Sequence, residues 1–546
     1  MRMRESRMIR SNAKHVVIIA ALGFLAACGQ SEQAQQDLSA QENLTILNRG
    51  NSAEPRSLDP HYAQAQYEST IVGDLLMGLT IDGPDAISIP AAAENWDVSD
   101  DGLVWTFYLR EHIWSDGTPV TAEDFVFAWQ RILDPKTAAP YASLLYIFKN
   151  AQAVNSGALP PSSLGANALD ALTLELELEN PAPYLPELMS HFTTYPVPRH
   201  VVETMGSDWT AAENYVGNGP FNFIEWVPND HITLDKNLAF YDAESVAIDR
   251  VVYYPAADPD AALRRFRAGE LDMLDELPIS QIEWLRANMA SAVRIEPFLG
   301  LEYIPINFTR PPFDDPRIRE ALNLGLNREI ITDQILRLGY VPAYAIVPPG
   351  TANYPGGNAM GFAATEMQAR IARAQALMRA AGYGPDNRLS TSLLVRSTAA
   401  DARRVPAAIQ QMWREIYVDL EILQADGAIT YSRIQEGDYD MGLINWIADF
   451  NDARNFLFLL MSDGSGKNYA AYENLAFDAL ILASDRETDP DRRGALMAEA
   501  ERLALEDYPW IPLYYLVTRD LVQPYVQGWT SNAEDVNRTR WLSLGN

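Results

Sequence analysis

Alternating apolar and polar positions predict β-strands at several places along the chain. The clearest alternation is LTLELEL at Leu172–Leu178, and Trp105–Arg110 repeats the pattern. Successive side chains of a strand point to opposite faces, so a period of two predicts strands with one buried face. Further strands are predicted at Asn43–Asn48, Phe221–Trp226, Val251–Tyr254, Tyr303–Asn307, Leu393–Val395, Asp419–Leu423 and Trp510–Leu516.

Segments with a helical spacing of apolar residues lie between these strands. Thr121–Leu133 begins with a capping threonine and early acidic residues, which stabilise a helix N-terminus. Thr365–Ala381 is rich in alanine, and we expect Thr365 to cap this helix and Gly382 to end it. Further helices are predicted at Pro316–Leu326, Arg328–Leu338 and Asp489–Glu506. Helices and strands that alternate in this way favour an α/β fold over a β-sandwich.

The N-terminus has the pattern of a secretory leader. Residues 2–14 carry five basic residues and one acidic residue, and the uncharged run Val16–Ala27 follows. As a helix that run would cover about 18 Å, which is too short for a bilayer core of about 30 Å. A basic segment followed by a short apolar one is typical of a signal peptide, here residues 1–27, and a short buried helix is the alternative.

Cys28 is the only cysteine in the chain. The segment Leu25-Ala26-Ala27-Cys28 resembles a bacterial lipobox, which implies that Cys28 is lipidated and becomes the mature N-terminus. Several acyl chains would anchor the protein stably. The residues that follow, to about 42, are polar and rich in Gln, Ser and Ala, so residues 28–42 are predicted to be a flexible tether.

Composition and charge exclude several classes of protein. The 546 residues are 48% hydrophobic and 21% charged, as in an ordinary globular protein. The 73 acidic residues exceed the 42 basic ones, for a net charge of -31. Nucleic acid is a poor partner for so acidic a chain, because phosphates demand a basic surface. A single thiol excludes a disulfide framework, a cysteine-based zinc site and an iron–sulfur cluster, and no cofactor is predicted.

No stretch of the chain carries a complete catalytic or nucleotide-binding motif. Gly464–Asn468 looks like the end of a phosphate-binding loop, but Met461 stands where that motif needs a glycine, and Asn468 stands where it needs Ser or Thr. A nucleophile elbow and a dinucleotide-binding glycine pattern are also missing. These observations argue against an enzyme, although they do not exclude an acid–base pair among the many carboxylates.

Three longer stretches resemble the extracellular solute-binding proteins of peptide ABC importers, the oligopeptide- and dipeptide-binding family. They run from Trp114 to Phe125 (WSDGTPVTAEDF), from Pro311 to Leu322 (PPFDDPRIREAL), and from Trp446 to Phe450 (WIADF). Shorter matches occur at Ser57–His61, Asn218–Phe221 and Ala381–Tyr383. They follow the family's order and cover roughly residues 44–545.

The resemblance implies an α/β clamshell of the periplasmic-binding-protein type, with two lobes, an extra α/β domain and the ligand between the lobes. Lobe I would comprise residues 43–76, 199–300 and 515–546. The extra domain would be 77–198, and the other lobe, lobe III, would be 301–514. Closure would be a hinge motion at crossover segments near residues 300 and 515.

The same resemblance implies which residues meet the ligand. Asp449 would bind the α-ammonium of a peptide, and Trp446 would form a wall of that pocket. The backbone of Leu443–Trp446, which includes Asn445, would pair with the peptide. The alternatives are that Asp449 only caps a helix over Phe450–Leu460 and that Trp446 is a core residue.

Gln64, Tyr141 and Tyr303 lie where the family lines its cleft, with ordinary packing as the alternative. Arg433 lies near a family arginine that meets the C-terminal end of the peptide, with a solvated surface residue as the alternative. Leu443 stands where the best-known oligopeptide binders have arginine, and Ala402 stands where they have histidine. These departures predict that the ammonium site is kept and that the carboxylate site is altered.

The function implied is that of an extracytoplasmic lipoprotein that captures peptides and delivers them to an ABC importer. Its partners would be two permease subunits and their ATPases, and it would be a monomer anchored to the membrane through Cys28. A non-peptide solute such as an amino compound, a sugar or a metal chelate is the alternative ligand. An extracytoplasmic peptidase is the remaining hypothesis.

Overall fold

The computed structural model describes residues 44–397, 403–462 and 466–545. The predicted leader 1–27, Cys28 and the tether to residue 42 lie outside the described residues. Two large β-sheets and one smaller sheet carry the helices between and around their strands. The structure therefore has the α/β layers that the sequence predicts.

The first large sheet has seven strands, which come from distant parts of the chain. Ile46–Asn51 pairs in parallel with Arg250–Pro255 on one side and with Met273–Leu274 on the other. The remaining neighbours are antiparallel. The order across the sheet is Val293–Arg294, Asp520–Val522, Met273–Leu274, Ile46–Asn51, Arg250–Pro255, His231–Lys236 and Phe221–Val227.

The second large sheet has six strands and a mixed pattern of directions. Leu389–Arg396 runs parallel to both Val418–Ala425 and Met441–Ile447, whereas Pro297–Pro305 runs antiparallel to Met441–Ile447. The order across the sheet is Val341–Pro342, Trp510–Val517, Pro297–Pro305, Met441–Ile447, Leu389–Arg396 and Val418–Ala425.

The register of this sheet leaves one short edge open. Leu389–Arg396 pairs with Met441, Gly442 and Leu443 only, and its last paired residue is Val395. On the other side, Ile444–Ile447 pairs with residues 300–303. Among the described residues, the backbone of residues 444–447 therefore has a strand neighbour on one side alone.

A four-stranded antiparallel sheet accompanies the first large sheet. It contains, in order, Ala93–Val98, Val104–Leu109, Thr173–Glu177 and Ala166–Ala168. Two-stranded sheets pair Thr80–Asp82 with Ser88–Pro90 and Val526–Gln527 with Ser543–Leu544. One hydrophobic core, with Leu47, Trp105 and Trp129 among its members, is shared by the four-stranded sheet and the seven-stranded sheet.

The α-helices flank the sheets. Those of nine or more residues are Gln66–Leu75, Ala122–Leu133, Pro259–Arg267, Pro316–Leu324, Met367–Ala380, Arg404–Arg414, Gly427–Gln435, Leu475–Ser484 and Pro490–Asp507. The shorter ones are Ala151–Asn155, Leu185–Leu188, Arg199–Met205, Ile282–Asn288 and Arg454–Leu457. No helix in the described ranges combines the length and the apolar character that crossing a membrane requires.

Most predicted elements are present, with shifted ends. The helix predicted from Thr365 begins at Met367 with Glu366 as its N-cap residue, so the prediction that Thr365 caps it is wrong. Gly382 follows its end with a φ of +95°, as predicted for a residue that ends a helix. The segment predicted as Arg328–Leu338 forms a π-helix over Ile330–Leu336. A π-helix differs little from an α-helix in its apolar period, so the pattern alone does not separate them.

Contacts between the two large units occur beside the strand Met441–Ile447. Phe450, which follows that strand, stacks on Tyr184 with ring centroids 5.1 Å apart and planes 6° apart. Asp452 forms a bidentate ion pair with Arg493 at 2.6 and 2.8 Å, and both side chains are buried. The Arg493 guanidinium also lies 5.4 Å from the Tyr184 ring centroid. Tyr184 therefore packs against two residues of the unit built on the second sheet.

Candidate functional site

Two cavities lie between the unit of the seven-stranded sheet and the unit of the six-stranded sheet. The first cavity has a volume of about 410 Å³ and the second about 250 Å³. Gln66, Phe298 and Ile447 line both, so the two cavities are neighbouring parts of one cleft. In α/β sheets ligands bind in the crevice at the carboxyl ends of the strands, and the parallel strands Leu389–Arg396 and Met441–Ile447 both end here.

Asp449 lies two residues beyond the strand Met441–Ile447 and lines the second cavity. The side chain of Asn455 hydrogen-bonds to its carboxylate, and Asn455 Oδ1 accepts a bond from the Asp449 backbone N–H at 3.3 Å. Burial raises the pKa of Asp449 to about 6, although the positive charge of Lys467 and the bond from Asn455 act in the opposite direction. A further cation in the cavity would stabilise this carboxylate.

The alternative that Asp449 caps a helix over Phe450–Leu460 is wrong. The helix after the strand begins at Arg454, with Ala453 at its N-cap position. The Arg454 backbone N–H donates to Asp452 rather than to Asp449, at 2.8 Å. The carboxylate of Asp449 is therefore not used as a cap.

Trp446 supports the same group of residues from behind. Its indole N–H donates to Asn455 Oδ1 at 2.9 Å, and its ring packs edge-on against Phe458. Lys467 Nζ lies 4.8 Å from the ring centroid. Trp446 is not part of the lining of either cavity, so the structure places it next to Asn455, which in turn holds Asp449.

Gln64 and Tyr141 line the second cavity together with Asp449. Burial raises the pKa of Tyr141 to about 12, and the negative charge of Asp449 adds to the effect. His191 lines the cavity as well, with its ring centroid 5.6 Å from that of Tyr141. Burial lowers the pKa of His191 to about 3, so its imidazole is neutral at physiological pH.

Leu443 and Asn445 line the first cavity from the strand Met441–Ile447. The backbone of Leu443 is already paired with Val395, so the open backbone edge begins one residue later. Arg396, which the sequence analysis did not single out, also lines this cavity and donates to Asn445 Oδ1 at 2.9 Å. Its position at the carboxyl end of a predicted strand is the signal that could have identified it.

The opposite wall of the first cavity is acidic. Asp520 and Asp535 hydrogen-bond to each other, and Asp275 lies nearby. Burial raises the pKa of Asp520 well above its ordinary value, the negative charge of Asp535 adds to that shift, and burial raises the pKa of Asp535 to about 6. Within the described ranges, no group of three or more His, Cys, Asp or Glu residues is arranged to hold a metal ion.

Two predicted residues are not brought to the cleft. Tyr303 is completely buried and stacks on Trp510, with ring centroids 3.9 Å apart. Its strand has neighbours on both sides, and its side chain faces the core of the second unit. Arg433 forms an ion pair with Asp438 at 3.0 Å and is not part of the lining of either cavity.

Comparisons with known proteins agree with this architecture. The oligopeptide-binding periplasmic protein OppA of Escherichia coli K12 is 36% identical over 489 residues, which cover 89% of each chain. The probable deoxycholate-binding periplasmic protein YgiS of the same strain is 35% identical over 494 residues, 88% of this chain and 90% of that one.

A solved structure and a family model point the same way. The crystal structure of Haemophilus influenzae OppA in complex with the peptide RPPGFSPFR has a TM-score of 0.76 at 33% identity and covers 92% of this chain and 99% of that one. The family model "Bacterial extracellular solute-binding proteins, family 5 Middle" matches residues 88–468. These likenesses confirm the predicted fold class, a clamshell of α/β lobes. The chain belongs to the bacterial extracellular solute-binding proteins of family 5.

Proposed function

We propose that this protein captures peptides in the cleft between its two large units and delivers them to an ABC importer. The observation that carries the proposal is Asp449, a carboxylate with a raised pKa that lines the cavity beside an open backbone edge. The names of relatives that bind oligopeptides support the same class of ligand. The protein acts as a binding protein in this proposal and transforms nothing.

Each end of the open edge has a role in this mechanism. The α-ammonium of a peptide binds Asp449, and an extended peptide backbone pairs with residues 444–447 on the side that has no strand. Such pairing uses main-chain groups common to all peptides, so it tolerates many sequences. Gln64 and Tyr141 complete the pocket around the first ligand residue.

The setting follows from the leader and from the family. We place the protein outside the cytoplasmic membrane as a monomer that is held through a lipid on Cys28 and a tether to residue 42, with permease subunits and their ATPases as partners. Residues 43–76, 199–300 and 515–546 would form one lobe, with 77–198 as the added domain and 301–514 as the opposite lobe. Segments near residues 300 and 515 would then act as the hinge.

Native mass spectrometry of the full-length chain, followed by denaturation, tests this function directly. We expect a set of co-purified peptides, whose masses would also give the preferred length. A single non-peptide mass would contradict the proposal, and a bile-acid-like compound would then deserve attention because YgiS is a relative. If the cleft proves empty, a thermal-shift screen with a peptide library decides, and no shift with any peptide would contradict the proposal.

Peptide affinity is expected to fall as the pH drops through about 6, because an ammonium binds the ionised form of Asp449. The pKa of this carboxyl is raised, so protonation competes with the ligand below about 6, and the Kd at pH 5 should be about tenfold higher than at pH 8. Titration calorimetry checks the profile, and Asp449→Asn should lose this step. A flat profile in the unaltered protein would contradict the assignment.

A further inference from the structure

Arg396 occupies a position in the cleft that has no assigned role. It is the last residue of the strand Leu389–Arg396 and lies just beyond Val395, the last residue of that strand to pair with Met441–Ile447. Its side chain lines the first cavity. The carboxyl ends of parallel strands are where α/β sheets bind their ligands.

Most of the hydrogen-bonding capacity of Arg396 is unused in the structure. Among the described residues, its contacts are one hydrogen bond to Asn445 Oδ1 and the face of the Tyr431 ring, 5.8 Å away. A guanidinium has five N–H donors, and its planar fork matches a carboxylate. The other arginine of this cavity, Arg519, is already paired with Glu276 at 3.2 Å.

The open edge leads from Asp449 to Arg396. A strand that pairs with residues 444–447 on the open side would occupy the space into which Leu389–Arg396 would continue. With its ammonium at Asp449, such a strand runs antiparallel to Met441–Ile447, and its C-terminal end points towards Arg396. Asn445, which holds Arg396, is four residues from Asp449, at most about 14 Å apart.

The charges of the first cavity restrict where an anionic group can lie. Asp275, Asp520 and Asp535 line the opposite wall, so an anion there would meet negative charge. We infer that Arg396 binds a carboxylate of the ligand and thereby sets which peptides bind well. This inference rests on the proposed peptide-binding function. The carboxylate belongs either to the C-terminus of a peptide of about three or four residues, which fits the length of the edge, or to an acidic side chain.

Titration calorimetry on the full-length chain, freed of co-purified ligand, tests the inference. Three peptides serve as probes: trialanine, trialanine amide, and the amide of Ala-Glu-Ala. Arg396→Met keeps the length and apolar stem of the side chain and removes the charge. We expect it to weaken trialanine binding on the order of 10- to 100-fold, as for other hydrogen bonds to charged groups, and to leave trialanine amide unchanged.

The pattern across the probes identifies the source of the carboxylate. A loss confined to trialanine assigns the C-terminal carboxylate, and a loss confined to Ala-Glu-Ala amide assigns an acidic side chain; either result supports the inference. An equal loss for all three peptides would mean a structural effect and would overturn it. Unchanged binding of both carboxylate-bearing probes would also overturn it.

Two further variants complete the design. Arg388→Met removes the same charge at the opposite end of the same strand region, where Arg388 pairs with Asp419 at 2.8 Å outside both cavities, and it should bind all three peptides normally. Arg396→Lys keeps the charge without the fork and should restore part of the affinity. If the unaltered protein bound no peptide at all, the proposed function would fail first, and this inference would fail with it.

Discussion

Asp449→Asn is expected to weaken peptide binding more than any other single change in the second cavity. The substitution keeps the shape of the side chain and removes the charge that meets an ammonium. A hydrogen bond to a charged group in a closed cleft contributes about 1.5–3 kcal/mol, which corresponds to a rise in Kd of roughly 10- to 150-fold. Asn455 would still contact the new side chain, so the fold should persist. Titration calorimetry with trialanine measures the effect.

The peptide can be altered in the same experiment. N-acetylation of trialanine removes its ammonium, so it should weaken binding to the unaltered protein and change little further in Asp449→Asn. Asp419→Asn is a matched control, because Asp419 is an exposed carboxylate of the same unit outside both cavities. Additive losses from acetylation and from Asp449→Asn would show that the two groups do not meet.

Arg493→Met is expected to cause the largest loss of stability. Arg493 and Asp452 are buried and form two hydrogen bonds to each other, so the substitution leaves a buried carboxylate without its cation. Breaking one side of a buried pair costs about 3–5 kcal/mol, because desolvation of the remaining charge is no longer compensated. Urea unfolding followed by tryptophan fluorescence measures the change in the free energy of unfolding.

The same helix offers a control for this experiment. Arg502 is exposed and pairs with Glu499 and Glu506, so Arg502→Met should change stability by at most about 1 kcal/mol. Adding Asp452→Asn to Arg493→Met should recover part of the loss, since no charge is then left buried. Equal effects of Arg493→Met and Arg502→Met would refute the importance of burial.

The hydrophobic pattern predicted the strands well because a sheet with one buried face imposes a period of two. Leu172–Leu178 and Trp105–Arg110 both contain strands that differ by one residue at their ends. Helix ends were less predictable: Thr365 and Glu366 are adjacent candidates for a cap, and backbone geometry rather than residue type decided between them.

The site was only partly predictable for a related reason. Asp449, Gln64 and Tyr141 come from three distant segments, and the resemblance to a family was needed to group them. Tyr303 was expected near the cleft, but the alternation along its strand turns the side chain into the core. Arg396 gained its significance from the register between two strands, which a single sequence does not contain.

The stack between Phe450 and Tyr184 ties the timing of ligand release to the separation of the two units. Phe450 is the residue after Asp449, so the ammonium-binding carboxylate and the ring that bridges the units share one short piece of backbone. Opening the cleft must pull these rings apart, and that movement carries Asp449 with it. The residence time of a bound peptide is then governed by how fast two aromatic rings part.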